Sequence, residues 1–349
     1  GSTKVDAAVI AAPELSLVVR AGAGVNTIDL DAASERGVFV ANCPGKNADA
    51  VAELALGLLV AVDRHLAAGD GDLKAGRWDK KAYSKAAGLA GRRIGILGLG
   101  DIGKGVARRA QAFGMEVHGW SRSLTPEAAA SLGIVHHADP TELAAAVDVL
   151  SVHLALTPAT RGFVGPGVLG ALRHGAILLN TSRAEVVDED ALLEALDTRD
   201  LRAGLDVFSG EPKATGPFDH PLARHPRVTG SHHIGASTTQ AQEAVADEAA
   251  RVIEVFRATG RAPNCVNLQP RQVSSHVLVV RHLDRVGVLA RVLDALMTAD
   301  LNVGAMENTI FVGGGAASAR IGLDAAPDPS TLAAIRGQPH VLYASCSEA

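Results

Sequence analysis

Cysteines, basic clusters and long apolar runs are scarce in this sequence of 349 residues, and each absence excludes a class of protein. Cys43, Cys265 and Cys346 are scattered and form no CxxC pair, so the sequence predicts neither a disulfide framework nor a metal site, and a reducing cytoplasm fits best. A net charge of -5 with no lysine- or arginine-rich stretch argues against nucleic-acid binding. The longest apolar stretch, residues 51–62, is interrupted by Glu53 and falls short of the roughly 20 residues that cross a bilayer.

Apolar residues are plentiful, and their spacing predicts more than one folded domain. The hydrophobic share is 47% and the charged share 20%, which is typical of globular proteins, and a chain of 349 residues usually folds as two or three domains. Short apolar strands alternate with helical segments from residue 15 to residue 232, which predicts an α/β fold with a doubly wound parallel sheet. Asn47 is placed to cap a long helix that runs through Val62.

Three further features divide the chain. A polar stretch punctuated by glycines, 74–91, predicts a connector and a domain boundary near residue 88. An amphipathic helix predicted over 241–259 is followed by a linker with two prolines over 261–272. Residues 276–345 then show strands and helices in the order βαββαβ, which is typical of a ferredoxin-like domain.

Three glycines follow the predicted strand 93–97 and open a predicted helix: Gly98, Gly100 and Gly103. In this GxGxxG context the first glycine allows a tight turn, the second lets backbone amides approach a pyrophosphate, and the third lets helix and strand pack closely. The phosphates would lie on the helix N-terminus, around Asp101 and Ile102, where free N–H groups and the helix dipole favour negative charge. The sequence therefore predicts dinucleotide binding; the alternative is a glycine turn that serves packing alone.

The second strand of the predicted Rossmann unit ends at Ser121, Arg122 and Ser123, where an acidic residue normally takes the adenosine ribose hydroxyls. A carboxylate would repel a 2′-phosphate, whereas Arg122 can pair with one. This local chemistry favours NADP over NAD. The alternative is that Arg122 lies along the adenine and that NAD still binds.

Three ionisable residues lie at or just beyond predicted strand ends in the second half of the α/β region: Arg183, Glu211 and His233. Ligands bind at the carboxyl ends of the strands in an open parallel sheet, so all three could reach one crevice. Each also has an ordinary structural explanation: His233 as a hydrogen-bonded core histidine, Glu211 as a loop charge, and Arg183 as a solvated cation at a helix start.

The motifs taken together resemble the D-isomer-specific 2-hydroxyacid dehydrogenases, and within them the phosphoglycerate dehydrogenases. The resemblance extends from about residue 17 to residue 240, and its matching stretches are, in chain order, RAGAGVNTIDL, NCPGKNADAVAELALGLL, GILGLGDIG, NTSRAEVVDEDALLEAL, AGLDVFSGEP and SHHIGAS. It implies a dinucleotide-binding Rossmann domain over 89–237 and a flavodoxin-like substrate-binding domain split between 1–88 and 238–265.

The resemblance assigns the three ionisable residues to catalysis. His233 would be the acid and base that exchanges a proton with the substrate hydroxyl, a task suited to an imidazole near neutral pH. Glu211 would orient the ring and favour its protonated form. Arg183 would grip the substrate carboxylate and stabilise the charge that grows on the carbonyl oxygen as hydride moves.

The same resemblance assigns residues to the cofactor, NAD or NADP, and to the substrate. Asp206 would contact the nicotinamide end. Four further residues would line the cofactor: Thr181, Ser182, Gly235 and Ala236. The backbone at Ala23 and Gly24 would hold the substrate carboxylate, and Arg20 and Lys46 are the candidate partners of a substrate phosphate.

The sequence departs from the family pattern in three places. Ala184 and Glu185 stand where relatives usually have a glycine pair, and His232 stands where they usually have a proline, so loop stiffness can differ. Relatives also carry a first βα unit, with an arginine for the substrate phosphate, before the stretch that matches residues 2–5. We therefore expect a substrate-binding domain that is incomplete at its N-terminal side.

Residues 275–349 resemble an ACT domain, a small-ligand sensor attached to many phosphoglycerate dehydrogenases. The matching stretches, HLDRVGVL and LNV, assign His282, Asp284 and Asn302 to an amino-acid effector, typically serine, bound between paired domains. Val286 replaces a usual proline. The alternative is an ACT domain that serves assembly alone, because fold does not fix function. A homo-oligomer, dimer or tetramer, is the expectation for such enzymes.

Three functions compete at this point. The first is oxidation of a phosphorylated 2-hydroxy acid, 3-phosphoglycerate, at the entry to L-serine biosynthesis. The second is an NADPH-dependent glyoxylate or hydroxypyruvate reductase, which Ser121 and Arg122 favour. The third is a dinucleotide-sensing binding protein without turnover, which the missing βα unit makes conceivable and the intact Arg183, Glu211 and His233 argue against.

Overall fold

The computed structural model describes residues 3–212, 214–269 and 274–349, and the chain divides after Asn267 into two compact units. The predicted linker over 261–272 ends outside the described residues. Within the described ranges, no helix combines the length and the apolar composition that spanning a bilayer requires.

The first unit contains a two-stranded and a seven-stranded sheet. Its helices are α1 (Ala7–Ile10), α2 (Leu30–Glu35), α3 (Ala48–Arg64), α4 (Leu66–Lys74), α5 (Asp101–Ala112), α6 (Pro126–Ser131), α7 (Pro140–Ala146), α8 (Pro166–Ala171), α9 (Glu189–Thr198), α10 (Pro221–Arg224) and α11 (Thr239–Thr259), with a 3₁₀ turn at Ala184–Val186. Its strands are β1 (Leu17–Arg20), β2 (Phe39–Asn42), β3 (Arg93–Leu97), β4 (Glu116–Trp120), β5 (Val135–His136), β6 (Val149–Val152), β7 (Ile177–Asn180), β8 (Arg202–Leu205) and β9 (Val228–Gly230).

The seven-stranded sheet has the order β5-β4-β3-β6-β7-β8-β9, with every neighbouring pair parallel. From β3 the chain continues to β4 and β5 on one side of the sheet. It then crosses to β6, on the other side of β3, and continues outward through β7, β8 and β9. This reversal between β3 and β6 is the topological switch point at which doubly wound sheets bind ligands. The predicted Rossmann-type parallel sheet is therefore confirmed.

Helices cover both faces of this sheet, and its central strands β6 and β7 are accordingly buried at every position rather than at alternate ones. All four residues of β7 are buried. Ile177 packs into a core with residues of α3 and α5, while the next residue, Leu178, joins a second core with residues of α7, α8 and α9. The sheet is thus held between two hydrophobic layers. Its faces are covered, so the strand ends are the parts of the sheet left to carry functional residues.

The register of the sheet places its strand ends in one row. Leu97 pairs with Val152, Val152 with Asn180, and Asn180 with Leu205. Because parallel strands end at the same edge, the residues that follow these positions lie side by side. In spatial order, the residues that follow β4, β3, β6, β7, β8 and β9 are Ser121, Gly98, His153, Thr181, Asp206 and Ser231.

The small sheet lies in the segment 17–42, where β1 and β2 run parallel. The chain returns to it after the large sheet is complete. Phe256 of α11 meets Phe39 of β2 edge to face, with ring centroids 5.4 Å apart. The Asn267 side chain accepts a hydrogen bond from Val40 N–H (2.8 Å) and donates one to Val38 O (2.9 Å). The two chain segments therefore build one layer together.

One detail of the prediction for α3 is wrong. The helix begins at Ala48, after Asn47, but the Asn47 side chain makes no capping hydrogen bond. It also runs past Val62 to Arg64 and ends where His65 takes a left-handed conformation with a φ of 53°. The polar stretch predicted as a connector follows a further helix, α4, that the sequence pattern did not indicate.

The second unit contains β10 (His276–Leu283), α12 (Val288–Thr298), β11 (Val303–Ile310), β12 (Ala316–Leu323), α13 (Pro329–Arg336) and β13 (Val341–Glu348). This is the predicted βαββαβ order. The sheet is antiparallel with the order β11-β12-β10-β13. Its core joins buried residues of the sheet, such as Leu278 and Ile321, to Val292 and Leu296 of α12 and Ile335 of α13.

Candidate active site

Glu211 and His233 form a close pair on loops beyond the last two strands of the large sheet. The His233 Nδ1 atom lies 2.7 Å from Glu211 Oε2, and Glu211 Oε1 accepts the Phe208 N–H at 2.9 Å. The carboxylate can only accept, so it fixes the ring proton on Nδ1 and leaves Nε2 for exchange with a ligand. The side chain of His233 is 46% exposed and that of Glu211 is 32% exposed, so a small molecule can reach the pair.

Asp206 holds the loop that carries His233. Its carboxylate is 1% exposed and accepts hydrogen bonds from Ser231 Oγ (2.6 Å), Ile234 N–H (2.9 Å) and Gly235 N–H (2.8 Å). Its backbone oxygen accepts the His233 N–H at 2.8 Å. These bonds stabilise the left-handed conformation of His233, whose φ of 53° is uncommon outside glycine. The structure thus shows an internal role for Asp206, and its predicted contact with the nicotinamide stays a prediction.

Asn180 does the same for the loop that carries Arg183. Its Nδ2 donates to Arg183 O at 2.9 Å, and its Oδ1 accepts from Ser182 N–H (3.0 Å) and Ser182 Oγ (2.8 Å). Asn180 ends β7 and is 2% exposed. The sequence analysis missed this residue, although a lone asparagine closing the apolar strand ILLN is a signal for it.

Arg183 lies against the backbone of Gly24 in the small sheet region. A Cβ atom built on Gly24 would come within 2.7 Å of Arg183 Nη2, so the guanidinium lies directly beside Gly24 and a side chain there would displace it. The neighbouring Ala23 is fixed by the Asn42 Nδ2 atom, which donates to Ala23 O at 2.7 Å. The structure therefore brings together Arg183 and Gly24, which the sequence analysis assigned to the same substrate carboxylate.

The three glycines of the turn after β3 have two different roles: two are required by packing, and the third faces open space. A Cβ on Gly103 would come within 2.0 Å of Gly98 O, and one on Gly98, whose φ is 103°, would come within 2.7 Å of His153 O. These two glycines are required by packing. Gly100, by contrast, has no atom within 4 Å of its Cβ position, so the space above the start of α5 is open. An open, amide-lined helix start is the form of a phosphate site.

Two buried polar atoms at the neighbouring strand ends have no hydrogen-bond partner among the described residues. They are Thr181 Oγ1 and His153 Nδ1. Burial lowers the pKa of His153 to about 4, and its Nε2 lies 2.8 Å from Ser151 Oγ. Native proteins rarely leave such atoms unsatisfied, so the edge between β6 and β7 is suited to a polar ligand. The sequence analysis assigned Thr181 to the cofactor but missed His153.

The remaining cofactor candidates lie along the same edge. Ser121 and the exposed Arg122 follow β4, and Gly98 N–H donates to Trp120 O at 2.8 Å, so the β4 end adjoins the glycine turn. Asp101 and Ile102 begin α5. Ala236 is exposed.

The two candidates for a substrate phosphate differ in their surroundings. Arg20 donates from Nη1 to Ala21 O at 2.6 Å, while its Nε is buried without a partner among the described residues. Lys46 Nζ lies 3.5 Å from Glu248 Oε2. Hydrogen bonds from Arg251 and Asn264, together with the charges of Arg251 and Lys46, lower the pKa of Glu248 to about 2 despite its burial. Lys46 is therefore already engaged, whereas Arg20 has donor capacity left.

In the second unit, the effector candidates are not equally accessible. His282 is 1% exposed, with Nδ1 2.8 Å from Leu283 O and Nε2 3.2 Å from Asn308 Oδ1. Asp284 and Asn302 are exposed. Only these two present side chains to solvent.

A family model described as "D-isomer specific 2-hydroxyacid dehydrogenase, NAD binding domain" matches residues 56–235, just over half of the chain. The match includes the glycine turn, the Asn180 and Asp206 contacts, and Arg183, Glu211 and His233.

Curated proteins are also similar to this chain in sequence. The D-3-phosphoglycerate dehydrogenase of Methanocaldococcus jannaschii is 40% identical over 258 residues, which cover 74% of this chain and 48% of that protein. The D-3-phosphoglycerate dehydrogenase of Mycobacterium tuberculosis strain H37Rv is 38% identical over 305 residues, 86% of this chain and 57% of that protein. The chain spans about half the length of the curated relatives it matches.

A solved structure is similar over most of its length. It is the NADPH-dependent glyoxylate/hydroxypyruvate reductase of Sinorhizobium meliloti in complex with NADP and malonate. Its TM-score is 0.67 at 32% identity, and the similarity covers 76% of this chain and 82% of that chain.

Proposed function

The chain belongs to the D-isomer-specific 2-hydroxyacid dehydrogenase family, and from this premise we propose that it interconverts 3-phosphoglycerate and 3-phosphohydroxypyruvate, the entry step of L-serine biosynthesis. The observation that carries the proposal is the Glu211–His233 pair, 2.7 Å apart at the sheet edge that also holds the glycine turn. The curated relatives named D-3-phosphoglycerate dehydrogenase support the choice of substrate.

The cofactor is a nicotinamide dinucleotide, and the residues at the switch point fit it. Gly100 and the start of α5 offer an open phosphate site, and Thr181 Oγ1 and His153 Nδ1 are buried polar atoms to which no described residue is hydrogen-bonded. When bound, the nicotinamide accepts the hydride from the substrate carbon, or supplies it in the reverse direction.

His233 moves the proton in this scheme. In oxidation its Nε2 lone pair takes the hydroxyl proton while Nδ1–H stays donated to Glu211. The electrons of the O–H bond form the new C=O bond, and those of the C–H bond leave with the hydride, so one proton and one hydride are removed. The Glu211 carboxylate stabilises the imidazolium that results, and reduction reverses each step.

Arg183 and the small sheet hold the substrate. The guanidinium beside Gly24 would bind the carboxylate and stabilise charge on the adjacent carbonyl oxygen. Arg20, with a buried Nε that lacks a partner among the described residues, would bind the phosphate. Lys46 is the weaker phosphate candidate because Glu248 already pairs with it.

We propose the domain organisation on the same basis. The return of α11 and Asn267 to the small sheet supports a substrate-binding domain split between 1–88 and 238–265, around a Rossmann domain over 89–237. The βαββαβ order supports an ACT domain over 275–349, in which the exposed Asp284 and Asn302 would bind an amino acid such as serine. A homo-oligomer, dimer or tetramer, and a cytoplasmic location, which the free cysteines suit, complete the proposal.

Steady-state kinetics test the function. The purified chain is assayed with 3-phosphohydroxypyruvate, hydroxypyruvate and glyoxylate, each with NADH and with NADPH. We expect the highest kcat/KM for the phosphorylated acid. Turnover of the unphosphorylated acids alone would overturn the proposal in favour of a reductase, and cofactor binding without turnover of any of them would indicate a sensing protein.

The reductase is the second candidate because Arg122 is exposed at the end of β4 and the Sinorhizobium meliloti protein, solved with NADP, carries that name. Ser121→Asp tests the cofactor half of this argument. A carboxylate there repels a 2′-phosphate and accepts the ribose hydroxyls, so the NADPH-to-NADH ratio of kcat/KM should fall by about tenfold or more. An unchanged ratio would remove the argument from Arg122.

A further inference from the structure

We propose that Glu189 positions Glu211 for proton transfer by holding the turn that precedes it, a role that rests on the function proposed above. Glu189 does not touch the Glu211–His233 pair. It acts through Ser209, which lies two residues before Glu211 in the chain.

The orientation of Glu211 depends on the backbone of this turn. One of its carboxylate oxygens faces His233, and the other accepts the Phe208 N–H at 2.9 Å. A shift of the Phe208 amide therefore rotates the carboxylate away from the His233 ring. Gly210, whose φ is 66°, lies between Ser209 and Glu211 and gives the turn little stiffness of its own.

Glu189 supplies that stiffness with both of its oxygens. Its Oε1 accepts the Ser209 N–H at 3.0 Å, and its Oε2 accepts the Ser209 hydroxyl. Glu189 is the first residue of α9, a helix fixed by the buried Leu192 and Leu196. The turn before Glu211 is therefore tied to a rigid element rather than to another loop.

His220 completes the arrangement from the other side. Its Nε2 lies 3.1 Å from Ser209 Oγ and 3.3 Å from Glu189 Oε2. Since the Ser209 hydroxyl donates to Glu189, its oxygen is free to accept from His220 Nε2–H. The His220 ring stacks on Phe218 with centroids 5.4 Å apart and meets Phe208 edge to face at 5.6 Å. It therefore fixes both the hydroxyl and the residue whose amide orients Glu211.

Glu189→Ala removes both acceptors at once and is the primary test. The first measurement is the ring ¹⁵N spectrum of His233 in the neutral form, which reports whether the proton is on Nδ1 or Nε2. We expect Nδ1–H in the parent and a mixture with Nε2–H in the variant, because Glu211 no longer holds the ring. The second is kcat, which should fall by about 10- to 100-fold as the pair loses its alignment, with cofactor Kd unchanged.

Three further variants sharpen the test. Glu194→Ala changes an exposed glutamate of the same helix and should alter neither measurement. Ser209→Ala keeps the N–H donor and loses only the hydroxyl, so kcat should fall by about 3- to 10-fold. Glu189→Gln keeps an acceptor for the Ser209 N–H and should restore most of kcat and the Nδ1–H form.

The outcomes separate this role from the proposed function. A His233 tautomer and a kcat that match the parent in Glu189→Ala would overturn the positioning role, whatever the change in Tm. Failure of the parent to turn over any of the three acids would overturn the proposed function. The tautomer of His233 would still report on the role of Glu189 in that case.

Discussion

Two regions of the same sheet edge differ in how their polar groups are satisfied. Beyond β8 and β9, the Asp206 carboxylate accepts three hydrogen bonds and Glu211 uses both of its oxygens within the protein. Beyond β6 and β7, His153 Nδ1 and Thr181 Oγ1 are buried without partners among the described residues. The groups of the proposed reacting region are held by the folded chain itself, whereas those of the proposed cofactor region would gain their hydrogen-bond partners from the ligand.

The comparison predicts the largest effect at Asp206. Asp206→Asn replaces one carboxylate oxygen by an NH₂ group, which can only donate. If the NH₂ group takes the place of Oδ2, it faces the Gly235 N–H, and if it takes the place of Oδ1, the bonds from Ser231 and Ile234 are lost. Leaving one buried donor unpaired should cost about 1–3 kcal/mol of unfolding free energy, and kcat should fall by about 100-fold because the His233 loop shifts. Chemical denaturation and steady-state kinetics measure the two effects.

Asp219→Asn is the matched control, since Asp219 is exposed and, within the described part of the chain, its ion pair is with Arg224 at the surface. It should leave both quantities unchanged. If Asp206→Asn weakened cofactor binding but kept kcat and stability, Asp206 would belong to the cofactor region. The proposed difference between the two regions of the sheet edge would then be wrong.

Two glycines of the same turn should respond in opposite ways. Gly103→Ala places a Cβ within 2.0 Å of Gly98 O, so the turn must move and Tm should fall by several degrees. Gly100→Ala meets nothing within 4 Å, so Tm should stay within about a degree, while the methyl group fills the open space and raises cofactor Kd by about tenfold. Thermal unfolding and cofactor fluorescence titration measure both. Equal losses of Tm would contradict the assignment of Gly100 to ligand contact.

The last prediction concerns the pH dependence of stability at His153. Burial lowers the pKa of His153 to about 4 from 6.5, so the folded protein binds this proton more weakly than the unfolded chain. Lowering the pH from about 6.5 towards 4 therefore favours unfolding, by at most about 1.4 kcal/mol per pH unit. His153→Gln should flatten the unfolding free energy in this window. His174→Gln, at an exposed position, should not, and equal slopes for His153→Gln and the parent would contradict the burial argument.

The strand ends of the large sheet could be predicted from the sequence because apolar runs there meet glycine or polar residues abruptly. The strand β3, Arg93–Leu97, matches the bounds predicted for it. Helices such as α6 and α8 were not predicted, because a helix of six residues shows too little periodicity.

In the candidate site, too, some features could be predicted from the sequence and others could not. The identity of Arg183, Glu211 and His233 followed from their positions after strands and from the family motifs. The hydrogen bond between Asp206 and Gly235, and the ion pair between Lys46 and Glu248, join residues far apart in the chain, whose proximity depends on the folded backbone. Local sequence carries no signal for such tertiary partners.

The most direct test of the account is the turnover of His233→Gln compared with its affinity for the cofactor. Loss of the imidazole removes the proton acceptor, so kcat for the preferred 2-oxo acid should fall by about 100-fold or more, while cofactor Kd stays within about twofold of the parent. A kcat within about threefold of the parent would show that the Glu211–His233 pair does not carry the reaction.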